Sequence, residues 1–291
     1  MLVPAINPTQ GSGLDHVGFI VADLEASSRL VSELGFRQTA RADHTRTNSA
    51  GVLVSAGSSQ HSVMLQRGYI ELMQITDPLA GHQLTPATAV RHGLHVIAFG
   101  TDDAAACRQA CIARGVEVGP LLNWARLIRE DDVLGEARFC YFDSRWDPHD
   151  PSYVCWVQHL TPQLLRPPRL LQHDNGVLAL TGVVYRGPRR LTEPWVAQLQ
   201  RAGASSSVQR AGGATVQFHD ARVEIDFDDT AMSVLPAALL LAGADLPLLR
   251  RRCDGLGIRA GFRSDGALDI DLDRYFGLHW ICTTGADDGT A

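Results

Sequence analysis

The sequence predicts an α+β fold made of four β-α-β-β-β modules arranged as two pairs. An apolar strand that carries a histidine, then an aspartate and a helix, occurs at residues 14–35 and again at 93–115. The last strands of these two units, 69–74 and 153–158, also align without a gap. The C-terminal half shows the same order of predicted elements twice more, with less similarity between the copies.

The first module begins with a strand at residues 17–21. Asp23 can cap the helix that follows, and Gly35 can end it. Leucine and valine recur between these two residues with a helical period. The strand-like runs after the helix are separated by Ser/Gly turns and lie at 51–54, 62–66 and 69–74.

The second module repeats this order. Its first strand is predicted at 94–100 and its helix at 102–114, and its later strands at 124–128, 137–141 and 153–158. His16 precedes Asp23 by seven residues, and His95 precedes Asp102 by seven residues. This equal spacing predicts that His16 and His95 occupy equivalent positions in the two modules.

Three regions follow from this organisation. The first pair of modules spans 12–162 and carries the candidate site, a proline-rich linker spans 163–176, and a degenerate second pair spans 177–285. In the second pair, strands are predicted at 177–185, 215–218, 221–226, 238–242, 268–272 and 278–282, with helices at 193–202 and 245–256.

The composition excludes several classes of function. The net charge of −6 and the pI near 6.0 argue against binding to nucleic acid, which depends on clustered cations. Lysine is absent, so Schiff-base chemistry on lysine is excluded. The sequence shows neither a signal peptide nor the roughly 18 consecutive apolar residues of a membrane span. We therefore expect a cytoplasmic bacterial protein.

The stretch LDHVGFIVADLEASSRLVSELGF within a pair of such modules resembles the vicinal oxygen chelate superfamily. That superfamily includes glyoxalase I, the fosfomycin and bleomycin resistance proteins, and the type I extradiol dioxygenases. The stretch QHLTPQLLRPPRLLQHDNG is similar to the glyoxalase-like subgroup. The resemblance implies metal ligands on the first and last strand of each module, at His16, Glu71, His95 and Cys155. Cys155 departs from the pattern, because glyoxalase-type members carry an acidic residue there.

The resemblance thus implies a divalent metal, Fe, Mn, Ni or Zn, held by His16, Glu71 and His95. Two imidazoles and one carboxylate leave coordination positions open, as a catalytic metal site requires. Glu71 is also the predicted catalytic carboxylate. In the C-terminal half Glu224 resembles Glu71, but no histidine lies on the matching first strands, so we expect no second metal site there.

Further residues are predicted to line a substrate pocket, namely Cys155, His159 and Arg138. His159 lies four residues after Cys155, about 13 Å along an extended strand, so it cannot join the same coordination sphere. It lines the mouth of the cavity or caps the linker. Arg138 belongs to a group of arginines on the second module that either bind a substrate carboxylate or form a solvated face.

The leading hypothesis is a metal-dependent lyase or isomerase that acts on a small oxygen-rich metabolite. The first alternative is an Fe(II) extradiol-type dioxygenase. The second is a metal-free protein that binds a small molecule, as the resistance proteins do, and Cys155 favours it. Nothing indicates a nucleic-acid or membrane partner. A homodimer stays open, although four modules in one chain can complete a cavity without a partner.

Overall fold

The computed structural model describes residues 13–48, 50–130, 133–145, 147 and 149–285. The predicted start of the first region, residue 12, lies outside them. The described residues form two arrays of β-strands, each built from two β-α-β-β-β modules. The prediction of paired modules is therefore confirmed. None of the described helices is long and apolar enough to cross a membrane.

The N-terminal half closes into a barrel. Its elements are β1 (Leu14–Ile20), α1 (Leu24–Glu33), β2 (Ala42–Thr47), β3 (Leu53–Met64), β4 (Tyr69–Ile75), α2 (Thr85–Thr88), β5 (Gly93–Gly100), α3 (Ala104–Ala113), β6 (Leu122–Glu130), β7 (Val133–Asp143) and β8 (Tyr153–His159). The strands follow the order β1-β4-β3-β2-β6-β7-β8-β5 around the barrel. Because every strand has two neighbours, side chains that point inward enclose a common interior.

The C-terminal half forms an open sheet. Its elements are β9 (Ala179–Gly187), α4 (Arg189–Ala202), β10 (Ser206–Arg210), β11 (Gly213–Gln217), β12 (Arg222–Phe227), β13 (Leu235–Ala242), α5 (Leu246–Gly255), β14 (Ala260–Phe262), β15 (Leu268–Asp271), α6 (Asp273–Phe276) and β16 (His279–Thr283). The strand order is β10-β11-β12-β9-β13-β16-β15-β14. Strands β10 and β14 lie at the two edges and do not pair with each other.

Helix caps correct the alignment of the two N-terminal modules. The Asp23 side chain accepts a hydrogen bond from the backbone N–H of Ala26 at 2.9 Å and caps α1. The equivalent cap of α3 is Asp103, which accepts from Ala106 at 2.9 Å. Asp102, which the sequence pattern matched to Asp23, is therefore one residue away from the equivalent position.

The strand register gives the same one-residue correction. In the first module β1 and β4 are parallel, and His16 lies beside Tyr69. In the second module β5 and β8 are parallel, and Val96 lies beside Tyr153. Since the two tyrosines correspond, Val96 is the structural equivalent of His16. A shift of one residue along a strand moves a side chain to the opposite face of the sheet.

The two halves share one hydrophobic core, which includes buried side chains of both strand arrays. Phe99 stacks on Phe218 with ring centroids 4.3 Å apart. The predicted linker is packed between the halves, since buried Asn175 donates a hydrogen bond to the Leu34 carbonyl at 3.0 Å. His173 of the same segment bonds the Met64 carbonyl at 3.0 Å. Leu165 and Leu170 of the 163–176 segment also pack in a small cluster with Met64 and Tyr69, so the segment is packed against the barrel.

Three strands, β2, β10 and β14, are absent from the sequence-based prediction, and β3 joins two predicted runs. Strand β2 reads Ala-Asp-His-Thr-Arg-Thr and β10 reads Ser-Ser-Val-Gln-Arg, so neither has a run of apolar residues. Strand β14 has only three residues. Such segments become strands through pairing with their neighbours, which local propensity does not reveal.

Candidate functional site

The interior of the barrel contains a cavity with an empty volume of about 670 Å³. Inward-facing positions alternate along each strand, as on β4, where Tyr69, Glu71 and Met73 all face the cavity. Its polar lining includes His16, His44, Tyr69, Glu71, His82, Arg126, Tyr141, Tyr153 and His159. Its apolar lining includes Met73, Leu84, Val96, Trp124, Phe139 and Val157. Apolar walls with a few polar groups suit a small organic ligand.

Glu71 is the buried carboxylate of this cavity, with 8% of its surface exposed. Its Oε1 atom lies 3.4 Å from Nε2 of His44. The other ring nitrogen of His44, Nδ1, lies 2.9 Å from the Ser58 hydroxyl. Strands β2, β3 and β4 thus supply a connected row of polar groups that ends at the carboxylate.

Gln60 on β3 links Glu71 to a guanidinium. The Gln60 amide satisfies both neighbours when its nitrogen faces Glu71 and its oxygen faces Arg126. In this orientation the nitrogen donates to Oε1 of Glu71 at 2.5 Å, and the oxygen accepts from Nε of Arg126 at 3.2 Å and from its Nη1. Arg126 is only 4% exposed and lies beside His44 in the β2–β6 register. A carboxylate and a guanidinium are therefore buried together.

These neighbours keep Glu71 ionised. Burial alone would raise the pKa of Glu71, but the hydrogen bond from His44 and the nearby His16 and Arg126 side chains lower it to about 2. The low pKa makes Glu71 an acceptor of hydrogen bonds at neutral pH and a weak base.

A second carboxylate, Asp15, orients His16. The Oδ2 atom of Asp15 lies 2.8 Å from Nδ1 of His16 and 3.0 Å from Nε2 of His159. Burial raises the pKa of Asp15, but His159 and His16 outweigh it and hold the pKa well below its usual range. Because Nδ1 donates its hydrogen to Asp15, Nε2 is the ring nitrogen of His16 that can take up a proton. The ring stacks on Tyr69 at 4.4 Å.

His82 comes from the segment between β4 and α2. Its Nδ1 accepts a hydrogen bond from the backbone N–H of Leu84 at 3.1 Å, and its ring packs edge-on against Trp124. Burial, together with the nearby His44, lowers the pKa of His82 to about 3. The ring is therefore neutral at pH 7, and the proton is on Nε2. His82 is a hydrogen-bond donor in the cavity.

Two tyrosines of the second module are tied together by Gln83 from the same segment. The Tyr141 hydroxyl donates to Oε1 of Gln83 at 3.1 Å, and Nε2 of Gln83 donates to the Tyr153 hydroxyl at 2.6 Å. Tyr153 in turn donates to Asp143 at 2.8 Å. Burial raises the pKa of both tyrosines, so both are neutral phenols. The chain of hydrogen bonds fixes this side of the cavity.

His95 is not part of this site. Its side chain leaves β5 on the face opposite to Val96, is 1% exposed, and places Nε2 3.0 Å from the Arg91 carbonyl. Val96 faces the cavity in its place. The structure therefore corrects the predicted ligand set: His16 and Glu71 lie in one cavity, and His95 lies outside it. The physical reason is the one-residue offset between the modules.

Of the three residues predicted to line a substrate pocket, two face the cavity and one lies outside it. Cys155 and His159 face the cavity, since both follow the inward alternation of β8. Burial raises the pKa of the Cys155 thiol well above its usual value. Arg138 instead points outward, with 65% of its side chain exposed and its Nε 2.6 Å from Glu136. The structure thus corrects Arg138 from a pocket residue to a surface residue.

Several site residues were missed from the sequence. His44 lies on the unpredicted strand β2, and His82 lies in a loop. Asp15 belongs to the β1 motif, where the sequence gives it no separate role, and no sequence pattern distinguishes Gln60. Arg126 is one of several arginines on the second module. The only local signal was the pairing of adjacent Asp15 and His16.

The residues at the four family metal positions do not complete a ligand set. Correct register gives His16, Glu71, Val96 and Cys155, and valine has no donor atom. Across the described part of the chain, no three His, Cys, Asp or Glu side chains form a group that could hold a metal ion. The Glu71 carboxylate is already bound by protein donors. The residues present therefore do not fit the metal centre that the resemblance implies.

Comparison with known proteins agrees with the fold. A family model described as a glyoxalase-like domain matches residues 14–203. That range includes the whole barrel, the 163–176 segment and the first strand and helix of the C-terminal half. No match was found among curated proteins.

Solved structures with this fold share little sequence with the chain. A hypothetical protein from Staphylococcus aureus aligns with a TM-score of 0.62 at 11% identity, covering 92% of this chain and 98% of the other. The Mn(II)-bound glyoxalase from Novosphingobium aromaticivorans gives 0.56 at 11% identity, covering 94% and 82%. A mutant of 4-hydroxymandelate synthase from Streptomyces coelicolor gives 0.55 at 14% identity, covering 94% and 93%. At these identities the likeness establishes the fold alone.

Proposed function

Because the chain belongs to the glyoxalase-like domain family of the vicinal oxygen chelate superfamily, we propose that its barrel cavity binds a small oxygen-bearing molecule and moves one of its protons. The reaction is that of an isomerase or a lyase. The observation that carries this proposal is the Asp15–His16 pair, which leaves Nε2 of His16 as a proton acceptor in a largely apolar cavity.

The lining indicates the class of substrate. Trp124, Phe139 and Met73 offer flat and flexible apolar contacts, which suit an aromatic or alicyclic body. Glu71 and Arg126 compensate each other's charge, so the ligand itself need not be charged. We infer a neutral hydroxyketone, a molecule with oxygen atoms on two neighbouring carbons. The carbon next to the carbonyl carries the acidic hydrogen.

Side chains of the cavity can carry out both the proton transfer and the stabilisation of the negative charge that it creates. His16 removes a proton from the carbon beside the carbonyl, and Asp15 stabilises the imidazolium that forms. The negative charge that develops on the carbonyl oxygen receives hydrogen bonds from neutral His82 and from Arg126. For an isomerase, the hydroxyl proton of the substrate moves to the former carbonyl oxygen, and the His16 imidazolium returns the abstracted proton to the former carbonyl carbon. For a lyase, the enolate electron pair expels a leaving group from the next carbon, and the His16 imidazolium gives that group its proton.

Proton transfer can be tested without knowledge of the natural substrate. 2-Hydroxyacetophenone and related aromatic hydroxyketones are incubated with the protein in D₂O, and exchange of the C–H protons is followed by NMR. The wild type should accelerate exchange, and His16→Gln should reduce the acceleration at least about 100-fold, the typical contribution of a general base. Arg138→Gln, on the outer surface, is the matched control. Equal rates for His16→Gln and the wild type would contradict the proposal.

A second candidate is binding without turnover, as in the metal-free alternative predicted from the sequence. It is favoured by Val96 and Cys155, which remove two ligand positions from the family site. In this case the same hydroxyketones would stabilise the protein against heat without proton exchange, and the stabilisation would be insensitive to a chelator.

Metal-dependent chemistry is the remaining candidate, in line with the Mn(II) named for one structural neighbour. A divalent Fe, Mn, Ni or Zn ion would have His16 and Glu71 as its ligands from the predicted set. The dioxygenase alternative needs two histidines and one carboxylate, and the second histidine would have to be one other than His95. Metal content, measured as described below, separates this candidate from the other two.

A further inference from the structure

We propose that the buried guanidinium of Arg126 takes the electrostatic place of the metal in this barrel, so that the chain binds no divalent ion at the Glu71 position. This inference concerns the same cavity as the proposed function. It does not depend on turnover, because it follows from how the Glu71 charge is compensated.

The first observation is the identity of the residues at the equivalent strand positions. Tyr69 and Tyr153 occupy equivalent positions in the two modules. This register makes Val96 the equivalent of His16 and Cys155 the equivalent of Glu71. Valine offers no lone pair to a metal. Two of four positions thus lack the imidazole or carboxylate that a hard or borderline divalent ion prefers.

The second observation is that one carboxylate oxygen of Glu71, Oε1, already has protein donors. Gln60 donates to Oε1 at 2.5 Å, and His44 lies 3.4 Å from the same atom. The oxygen of Gln60 accepts from Arg126, so the amide couples the carboxylate to a cation. A metal ion at Oε1 of Glu71 would have to displace these donors, and a metal ion at either carboxylate oxygen would stand close to the buried guanidinium of Arg126.

The third observation is the burial of Arg126. A guanidinium that is 4% exposed requires compensation by an anion, and the only carboxylate to which a described contact links it is Glu71. Arg126 and His44 face each other across the β2–β6 pair, which joins the two modules. The cation is therefore held by strands of both modules, as the ligands of a metal between the modules would be.

Metal analysis tests the substitution directly. Protein purified without tags or chelators, then incubated separately with Mn(II), Fe(II), Ni(II) and Zn(II) and desalted, should retain less than about 0.1 ion per chain. The variant Val96→His/Cys155→Glu/Arg126→Met restores donors at all four positions, removes the competing guanidinium, and should retain about one ion per chain. Adding His16→Ala should remove that ion.

The matched control is Val96→Gln/Cys155→Gln/Arg126→Met, which introduces side chains of similar size without imidazole or carboxylate. It should retain no more metal than the wild type. Near-stoichiometric metal in the wild type, lost in His16→Ala and in Glu71→Ala, would overturn the inference. A folded four-ligand variant that retains no ion would also overturn it, because the positions would then not be equivalent to the family site.

A double-mutant cycle tests the role of Arg126 itself. Arg126→Met keeps the apolar stem and removes the charge, and it should lower the Tm by about 8 °C because Glu71 stays buried without a cation. In a Glu71→Gln background the same change should lower the Tm by about 3 °C or less. Equal shifts in the two backgrounds would show that the two charges are not coupled and would refute the inference. The exchange assay of the proposed function can fail without affecting either result.

Discussion

The placement of His95 outside the cavity has a measurable consequence for stability against pH. The ring is 1% exposed, its Nε2 donates to the Arg91 carbonyl, and its Nδ1 is buried without a hydrogen-bond partner. Protonation would place a second N–H and a positive charge in this environment. Burial, aided by the nearby Arg91, lowers the pKa of His95 from 6.5 to about 4.

The direction and size of the change in the free energy of unfolding with pH follow from proton linkage. Between pH 6.5 and pH 4 the unfolded chain binds a proton at His95 that the folded chain excludes, so the free energy of unfolding falls as the pH falls. At about 1.4 kcal/mol per pH unit, lowering the pH from 7.5 to 5.0 costs about 2 kcal/mol. This loss is absent above about pH 7.5, where His95 is unprotonated in both the folded and the unfolded chain.

The assay is urea unfolding at pH 7.5 and at pH 5.0 for the wild type and for His95→Gln, which retains a donor for the Arg91 carbonyl but does not titrate. The wild type should lose about 2 kcal/mol more than the variant over this interval. His219→Gln, at an exposed position, should behave like the wild type. Equal losses for the wild type and His95→Gln would refute the reasoning.

Three further predictions concern the fold, and each is measured by urea or thermal unfolding. Asp103→Ala should cost about 1 kcal/mol through loss of the α3 cap, whereas Asp102→Ala should cost close to nothing, and the reverse order would contradict the corrected register. Phe218→Ala should cost about 4 kcal/mol, since it removes the ring stacked on Phe99 between the two halves, and a loss below about 1 kcal/mol would show that the halves are not packed as described. Asn175→Ala should cost about 2 kcal/mol because it leaves the Leu34 carbonyl without its partner; an unchanged Tm would argue that water replaces the bond.

Much of the fold could be predicted because the chain repeats a simple unit. Apolar strands with period two, capped helices and glycine stops were sufficient for the module order. The exact alignment of the two modules was not accessible in this way. His16 and His95 match by residue type. However, Phe19 and Phe99 are 80 positions apart, as are the caps Asp23 and Asp103, and this spacing makes Val96 the equivalent of His16.

The site was less predictable than the fold because most of its polar residues come from segments without a pattern. His44 lies on a polar strand, and His82 lies in a loop. Gln60 and Arg126 gain significance only when β3 and β6 bring them next to Glu71. Which cation compensates a buried carboxylate depends on contacts between strands far apart in sequence, and no local motif contains that information.

The difference between the closed barrel and the open sheet determines where a second chain can pair with this protein through its strands. A barrel has no free strand edge, so another chain cannot extend it by strand addition. The C-terminal sheet has two such edges, β10 and β14, and each presents an exposed apolar side chain, Val208 and Phe262. Misassembly during expression or heating should therefore begin in the C-terminal half, and a charged residue at either position is the first change to make for a better-behaved sample.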